Sequence, residues 1–471
     1  MKRMVSFILL ACLLFSVCAC SQDTEEIIPE YSSKIDKVDF MGEEFIFLIN
    51  NSGHSIGEQY LGYLYDTEFA DLAKERVEEV SKKYNVKINI VTNKDIGQTI
   101  QNETYSGQVS ADAVQTASQG LAGCIRAGFM YDLTGLTDYL DYTDTQKWGN
   151  IENIKPLCWD GGIFGVIPAA WPMLKYLSID GPLIANEDII RYLNQTDPRE
   201  LVEADIWTWD TFEELMPIYS HINDAGDEVT ALYSSDHWLC KTMQTSNGEG
   251  VIVQDENGEY QLGLYSEKTF EALSTAWNWA FGDYSSFVDI DDGHQWTDML
   301  QTFLDGRSVL TIVNATEFFG STDSIAYNMS NFAFIPFPKG PHGSNKTNPG
   351  STITGTLFST GIPQLSKDPA MSAIILDAVY SPLPGYEEEQ SIIDYLRNNY
   401  FFDDRDVTNF INAFNNVYYN YRHEGLTDVY INLTDNKSMR EWLDQYSESN
   451  EANRQKYVIS IETTIDELFG E

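Results

Sequence analysis

Positive charge is what this chain has least of. Its 471 residues carry 29 Lys and Arg against 72 Asp and Glu, a formal net charge of −43. General binding to DNA, RNA or anionic lipid surfaces runs on Lys and Arg neutralising phosphates, and no basic run here exceeds two residues, so nucleic acid is excluded as a partner. Cysteine is scarce too. Of six, Cys12, Cys18 and Cys20 sit in the first twenty residues, leaving Cys124, Cys158 and Cys240. Three are no disulfide framework; one bridge is open to them, and buried thiols are the expectation. The six histidines, His54, His221, His237, His294, His342 and His423, share no ligand spacing. No P-loop, GxGxxG after a strand, GxSxG or HExxH is present, and no CxxC occurs beyond the first twenty residues. No metal, cofactor or catalytic residue is therefore expected. Beyond the N-terminus, no apolar run reaches the roughly 18–20 residues of a spanning helix.

What is present is core material: 43% hydrophobic and 13% aromatic residues, in a chain long enough for several domains. The first twenty residues differ from the rest. Lys2 and Arg3 precede an apolar stretch from Met4 to Ala19 that ends in Val17-Cys18-Ala19-Cys20, followed at once by polar Ser21-Gln22-Asp23. That is a signal-peptide layout. Its end resembles the bacterial lipobox, which implies removal of residues 1–19, diacylation of Cys20 and a polar tether over 20–39. The chain is then a lipoprotein on the outer face of the cell membrane. An ordinary secretory cut near Ala19 is the alternative.

The body alternates strand and helix patterns. Phe45-Ile46-Phe47-Leu48-Ile49 reads as a buried strand. Phe69, Leu72, Ala73, Val77, Val80 and Tyr84 recur at helical spacing, and Val86, Ile88 and Ile90 alternate as a second strand. Ile96 and Ile100 mark a short helix, Ala111 to Thr116 a third strand, and Ser118 to Ala127 another helix. This rhythm predicts an α/β fold with a parallel sheet and right-handed crossovers. A strand is expected over Ile163 to Pro168, after Asp160-Gly161-Gly162. Thr208-Trp209-Asp210 reads as a capped helix start. Phe270, Leu273, Ala276, Trp277 and Ala280 mark a helix, as do Trp296, Met299, Leu300, Phe303 and Leu304. Strands are expected at Ser308 to Val313, Asn331 to Phe337 and Thr354 to Ile362, then a helix at about Pro369 to Tyr380 and a helical final ninety residues. No sequence repeat is visible. Asp289-Ile290-Asp291-Asp292-Gly293 and Asp403-Asp404-Arg405-Asp406 are acidic clusters without the twelve-residue Ca²⁺ loop, and read as solvated loops.

The order of several weak motifs resembles the family 1 extracellular solute-binding proteins, the receptors of carbohydrate-type ABC importers. They are Val77-Glu78-Glu79-Val80 leading to Tyr84-Asn85-Val86-Lys87-Ile88; Asp112-Ala113-Val114; Gly128-Phe129-Met130-Tyr131-Asp132-Leu133; Gly165-Val166-Ile167-Pro168; Thr208-Trp209-Asp210; Phe303-Leu304-Asp305-Gly306-Arg307-Ser308; Phe337-Pro338-Lys339-Gly340-Pro341; and Gly361-Ile362-Pro363. The match spans roughly residues 40 to 470.

The resemblance implies a two-lobe periplasmic-binding-protein-like fold of type II, its lobes joined by crossing hinge segments and closing on a ligand. Lobe 1 would comprise 40–172 plus 357–403, and lobe 2 173–356 plus 404–471. The expected function is an extracytoplasmic receptor, monomeric and not an enzyme, that carries a small molecule, an oligosaccharide above all, to ABC permease subunits. The same fold serving a peptide or cationic metabolite is the alternative, with a surface glycan-processing enzyme behind it. Ligands of open α/β sheets lie beyond the carboxyl ends of strands. Candidates there are Asn51 and His54; Thr116, Ser118 and Gln119; Trp171; Asp236 and Trp238; and Asn314, Glu317 and Phe318. Sugars need flat aromatic faces and planar polar groups. Trp171, Trp238 and Glu317 correspond by position to ligand contacts of the family, with Asn314, Gln119, Thr116 and Asn51 beside them. Trp207, Trp209, Trp277 and Trp296 read as core.

Overall fold

A computed structural model of the chain describes residues 34–50, 59–64, 67–176, 179–288, 295–319, 324–343, 351–352, 358–419 and 439–470. The Cys20 signal region, Asn51, His54 and the Asp289–Asp292 cluster lie outside them. Among the described residues, no helix is long and apolar enough to cross a membrane.

β1 (Glu43–Asn50) is the expected apolar run. Helix α1 (Glu68–Lys83) follows, with Thr67 Oγ1 accepting from the Ala70 N–H at 3.3 Å, acids in the first turn and Lys82 and Lys83 in the last. Both ends thus match the helix dipole, and its buried face is Phe69, Ala70, Ala73, Val77 and Val80. β2 (Val86–Asn93), α2 (Ile96–Ser106), β3 (Ala113–Ala117) and α3 (Ser118–Arg126) complete the unit. β2 and β3 lie parallel on either side of β1.

The chain then crosses to a second sheet. β4 (Asp180–Asn186) is its first strand, followed by α4 (Trp209–Tyr219), β5 (Glu228–Ser235), α5 (Asp236–Ser246), α6 (Glu267–Phe281), β6 (Ser285–Val288), α7 (Gln295–Leu304), β7 (Ser308–Asn314), the single turn α8 (Ala315–Phe319) and β8 (Phe332–Ile335). The order across the sheet is β6-β5-β7-β4-β8. Crossing back, the chain adds β9 (Phe358–Gly361) to the first sheet, giving β9-β3-β1-β2. The two sheets share one plan. Three parallel strands stand in the order second, first, third, and a fourth runs antiparallel beside the third. In each sheet that fourth strand is the first one laid down after the crossing. The architecture is therefore α/β in two lobes, with mixed sheets rather than the purely parallel one the sequence suggested. The repeat is topological and leaves no trace in the sequence.

β4 has no counterpart among the expected strands, yet every one of its residues is buried. Pro182 stands inside it, lacking an N–H. The register against β7 slips at this point, between the Ile312↔Leu183 and Asn314↔Asp180 pairs, so the proline sits at a bulge where no donor is required. The expected strand over Ile163 to Pro168 is also not continuous. It is a short hairpin strand, Gly162–Ile163, followed by one bridge from Val166 to Thr360. Of the strand expected over Thr354 to Ile362, residues 358–362 are described, and Phe358–Gly361 are strand. Cys124, Cys158 and Cys240 are buried, and no disulfide joins any two of them.

β8 is an edge strand, and side chains occupy its outer edge. Arg199 Nη2 donates to Phe332 O at 2.7 Å, Phe334 N donates to Asp406 at 2.9 Å, and Asn409 donates to Phe334 O at 3.0 Å. These groups fill the row where another strand would pair. Asp406 belongs to α11 (Asp404–Asn415), which follows α9 (Pro369–Val379) and α10 (Glu389–Asn399). The Asp403–Asp406 cluster is thus taken up by guanidinium groups: Asp403 accepts from Arg405 and Asp406 from Arg199. Beneath β8 lies an aromatic core in which Phe318 packs on Phe332 and Phe401 with ring centroids 5.2 and 5.3 Å apart. Of the tryptophans expected in the core, Trp207 and Trp209 are buried. Trp277 is not. It is 48% exposed and rests on Phe281, because it lies one residue off the α6 stripe. The side chain of Trp296 lies outside the described residues.

The last helix, α12 (Ile459–Phe469), packs on residues 155–163 of the first lobe. Asp160 N donates to Ser460 Oγ and Gly161 N to Thr464 Oγ1. The turn before it contacts the second lobe, where Arg454 donates to Tyr260 O.

Candidate functional site

The carboxyl ends of the parallel strands in each lobe are occupied by polar residues. In the first lobe, β1 ends at Asn50, whose Nδ2 donates to Thr116 Oγ1 on β3 at 3.2 Å. Thr116 is buried, and α3 begins directly after it at Ser118. A Cβ at Gly120 would lie 3.0 Å from Thr116 Oγ1, so glycine lets the helix start close to the strand end. Ala117, at the cap position, offers no side-chain oxygen to the first-turn N–H groups of α3. Gln119 lies in that turn; its side chain is not among those described.

Trp171 is placed below these strand ends rather than at them. It is fully buried, stacked on Tyr63 with ring centroids 5.7 Å apart and planes 8° apart, and tilted against Tyr380 at 5.0 Å. Its indole N–H donates to Ser381 O at 3.0 Å. Tyr63 in turn donates to Pro172 O at 2.7 Å. Trp171 therefore acts as a packed floor that fixes the turn after residue 168.

In the second lobe, β5 ends at Ser235, whose Oγ accepts from Trp238 N at 3.2 Å and caps α5. Asp236 and Trp238 are both buried in the first turn. One turn further, Lys241 reaches across to Asp180, the first residue of β4, in a buried ion pair. Next to Asp180, β7 ends at Asn314. Asn314 Oδ1 accepts from Glu317 N at 2.8 Å, and Glu317 Oε2 accepts from Asn314 N at 3.4 Å. The pair is a reciprocal capping box, written in sequence as Asn314-Ala-Thr-Glu317. Burial pushes the Glu317 carboxyl well above the usual range, with the Asp180 charge adding to the rise and the Asn314 N–H opposing it. Phe318 points away into the aromatic core.

The candidate residues thus fall into two sets at the strand ends: Thr116 and Gln119 in one lobe; Trp238, Asn314 and Glu317 in the other. Asn51 lies outside the described residues. Sequence reasoning misses Asp180 and Lys241. Asp180 is hidden because its strand is, and a lone lysine on a helix carries no signal of its burial. Electrostatically the second set is self-contained, since Lys241 offsets Asp180 and Glu317 is held towards its neutral form. Among the described residues, no group of three or more His, Cys, Asp and Glu side chains could hold a metal ion.

No family model matches the chain, and no curated protein does. Solved structures do match. The cyclo/maltodextrin-binding protein complexed with maltotetraose aligns with a TM-score of 0.55 at 13% identity, over 92% of this chain and all of that one. The GacH receptor of Streptomyces glaucescens, solved unliganded and with acarbose, aligns at 0.54 and 12%, over 91% of this chain and 99% of its own. The ABC substrate-binding protein Lmo0181 from Listeria monocytogenes, in complex with cycloalternan, aligns at 0.52 and 12%, over 91% and 100%. At these identities the likeness is one of fold, and it extends over both lobes and the segments that join them.

Proposed function

We propose that the chain is an extracytoplasmic receptor for a neutral oligosaccharide, serving an ABC importer by closing two lobes over its ligand. The observation that carries this reading is the two-lobe fold, shared end to end with solved proteins whose ligands are maltotetraose, acarbose and cycloalternan. The strand-end chemistry supports it. Hydroxyl and amide groups are present, and the Asp180 charge is offset by Lys241, which favours an uncharged polyhydroxylated ligand over an ionic one. Thr116 and Gln119 would contact it from the first lobe, and Trp238, Asn314 and Glu317 from the second, with Trp171 supporting from beneath. Each of these groups binds and orients; none is assigned a step of turnover. The proposed lobes are 40–172 plus 357–403, and 173–356 plus 404–458, with α12 assigned to the first by its contacts. Cys20 as a diacylated anchor would hold a monomeric receptor beside its permease.

The test is thermal unfolding of the purified protein against linear and cyclic glucan oligosaccharides, peptides and polyamines. A ligand at a hundred times its Kd stabilises by about 2.7 kcal/mol. Stabilisation by a sugar and by no charged ligand is expected. Stabilisation by peptides or polyamines alone overturns the sugar assignment.

A further inference from the structure

The second lobe carries a two-stranded hairpin, Ile252–Gln254 with Tyr260–Leu262, that belongs to neither main sheet. Its polar partners come from the later chain. The Tyr418 hydroxyl meets both Ile252 N (3.0 Å) and Ile252 O (2.5 Å). Arg454 donates to Tyr260 O, and the Tyr260 hydroxyl donates to Glu462 Oε2 at 3.1 Å. The other oxygen of Glu462 accepts from Lys155 in the first lobe at 2.9 Å. Lys155 also donates to Glu152 at 2.9 Å, and Glu152 Oε2 accepts from Tyr419 N at 3.4 Å, one residue from Tyr418.

These bonds close on themselves. From the hairpin the path runs through Tyr418 and Tyr419 to Glu152, Lys155, Glu462 and Tyr260, and so back to the hairpin. The lysine and Glu462 side chains are 13% and 4% exposed. Burial makes such a ring costly to leave half-made, since each broken link strands a polar group out of water. A second feature falls at the same place. Residues Arg454–Val458, just before α12, form a π-helical turn. It carries Arg454, which touches the hairpin, and runs directly into the helix that packs on residues 155–163. A π-turn inside a helix is a rare and weaker geometry that often marks a functional joint.

We propose that this ring is a clasp that sets the angle between the lobes, with the hairpin as its second-lobe arm and Lys155 and Glu152 as its first-lobe arm. The inference needs no particular ligand and stands apart from the sugar reading. Loss of one link weakens the clasp and moves the unliganded protein towards other lobe angles, by about tenfold in the ratio of populations.

The experiment is a distance distribution between spin labels on Glu75→Cys in α1 and Glu214→Cys in α4, both exposed, in the full chain without ligand. Tyr260→Phe deletes one oxygen, and Tyr418→Phe breaks the ring at its other side. Each is expected to shift or broaden the distribution, with the far-ultraviolet spectrum unchanged. Trp277→Ala, an exposed change outside the ring, is expected to leave it as it is. If both phenylalanine variants keep the wild-type distribution, the clasp does not set the lobe angle and the proposal fails. The outcome does not depend on whether any sugar binds, so it is separable from the receptor reading.

Discussion

Replacing Arg199 by Met should cost this protein far more stability than the loss of a surface ion pair. The Arg199 and Asp406 side chains are 3% and 1% exposed. The guanidinium donates to both Asp406 oxygens at 2.6 and 2.8 Å and to Phe332 O at 2.7 Å, and also pairs with Glu187 at 2.5 Å. Met fills much of the volume but supplies no donor. Asp406 is then left buried without its counter-charge, and the outer carbonyl of β8 loses its partner. Breaking a buried pair from one side costs about 3–5 kcal/mol, far above the ~1 kcal/mol of a surface pair. Asp406→Asn is the comparison. An asparagine oxygen can still accept from Phe334 N, and Arg199 keeps Glu187 and Asp197 as counter-ions. Its cost should be nearer to about 1–2 kcal/mol. Urea unfolding followed by tryptophan fluorescence measures both. A loss below about 1 kcal/mol for Arg199→Met, or a larger loss for Asp406→Asn than for Arg199→Met, would refute the edge-strand argument.

Other consequences are open to simpler checks. The Arg405 guanidinium holds Asp403 down to about 2, so its stabilisation is full above the ordinary aspartate range and is lost as pH falls from about 4 towards 2. Asp403→Asn should flatten acid unfolding in that window by about 1–2 kcal/mol, and an unchanged acid limb counts against the pairing. Glu317 shows the opposite sign. Its raised folded pKa gives stability that is full below about pH 4.5 and is lost as pH rises through the folded value. Glu317→Gln should therefore match wild type at low pH and exceed it increasingly on the alkaline side in thermal melts; a constant difference would count against the raised Glu317 carboxyl. At Gly165, an added Cβ would lie 2.9 Å from Thr360 O, beside the paired Val166 and Thr360 main chains. Gly165→Ala should cost about 1–3 kcal/mol, and a neutral melt would show that this crossing has room to give.

The first lobe is readable in the sequence because its elements are locally consistent. β1 is a continuous apolar run, α1 has a cap, a stripe and the right charges at both ends, and β2 alternates. β4 is not readable, because only Leu183, Ile184 and Ala185 are apolar and a proline precedes them. Its strand character comes from β7 and β8 on either side, a tertiary cause that no local pattern carries. The same holds for Trp277, where a one-residue offset from the stripe decides between core and solvent. At the site, reading strand ends places Thr116, Trp238, Asn314 and Glu317 at the carboxyl ends of β3, β5 and β7, where the structure has them. The capping box that binds Asn314 to Glu317 is also written in the chain, at its i, i+3 spacing. The Asp180–Lys241 pair is not, since its partners are brought together from 61 residues apart by the packing of α5 against β4.

Closure of the two lobes on a neutral oligosaccharide is tested most directly by calorimetric titration. The purified protein is titrated with maltotetraose and related linear and cyclic glucans, with Trp238→Ala and Glu317→Ala run alongside. One-to-one binding of at least one such sugar is predicted, with a loss of about tenfold or more in each variant, about 1.4 kcal/mol per decade. Absence of heat with every sugar, together with saturable binding of a charged ligand, would contradict it.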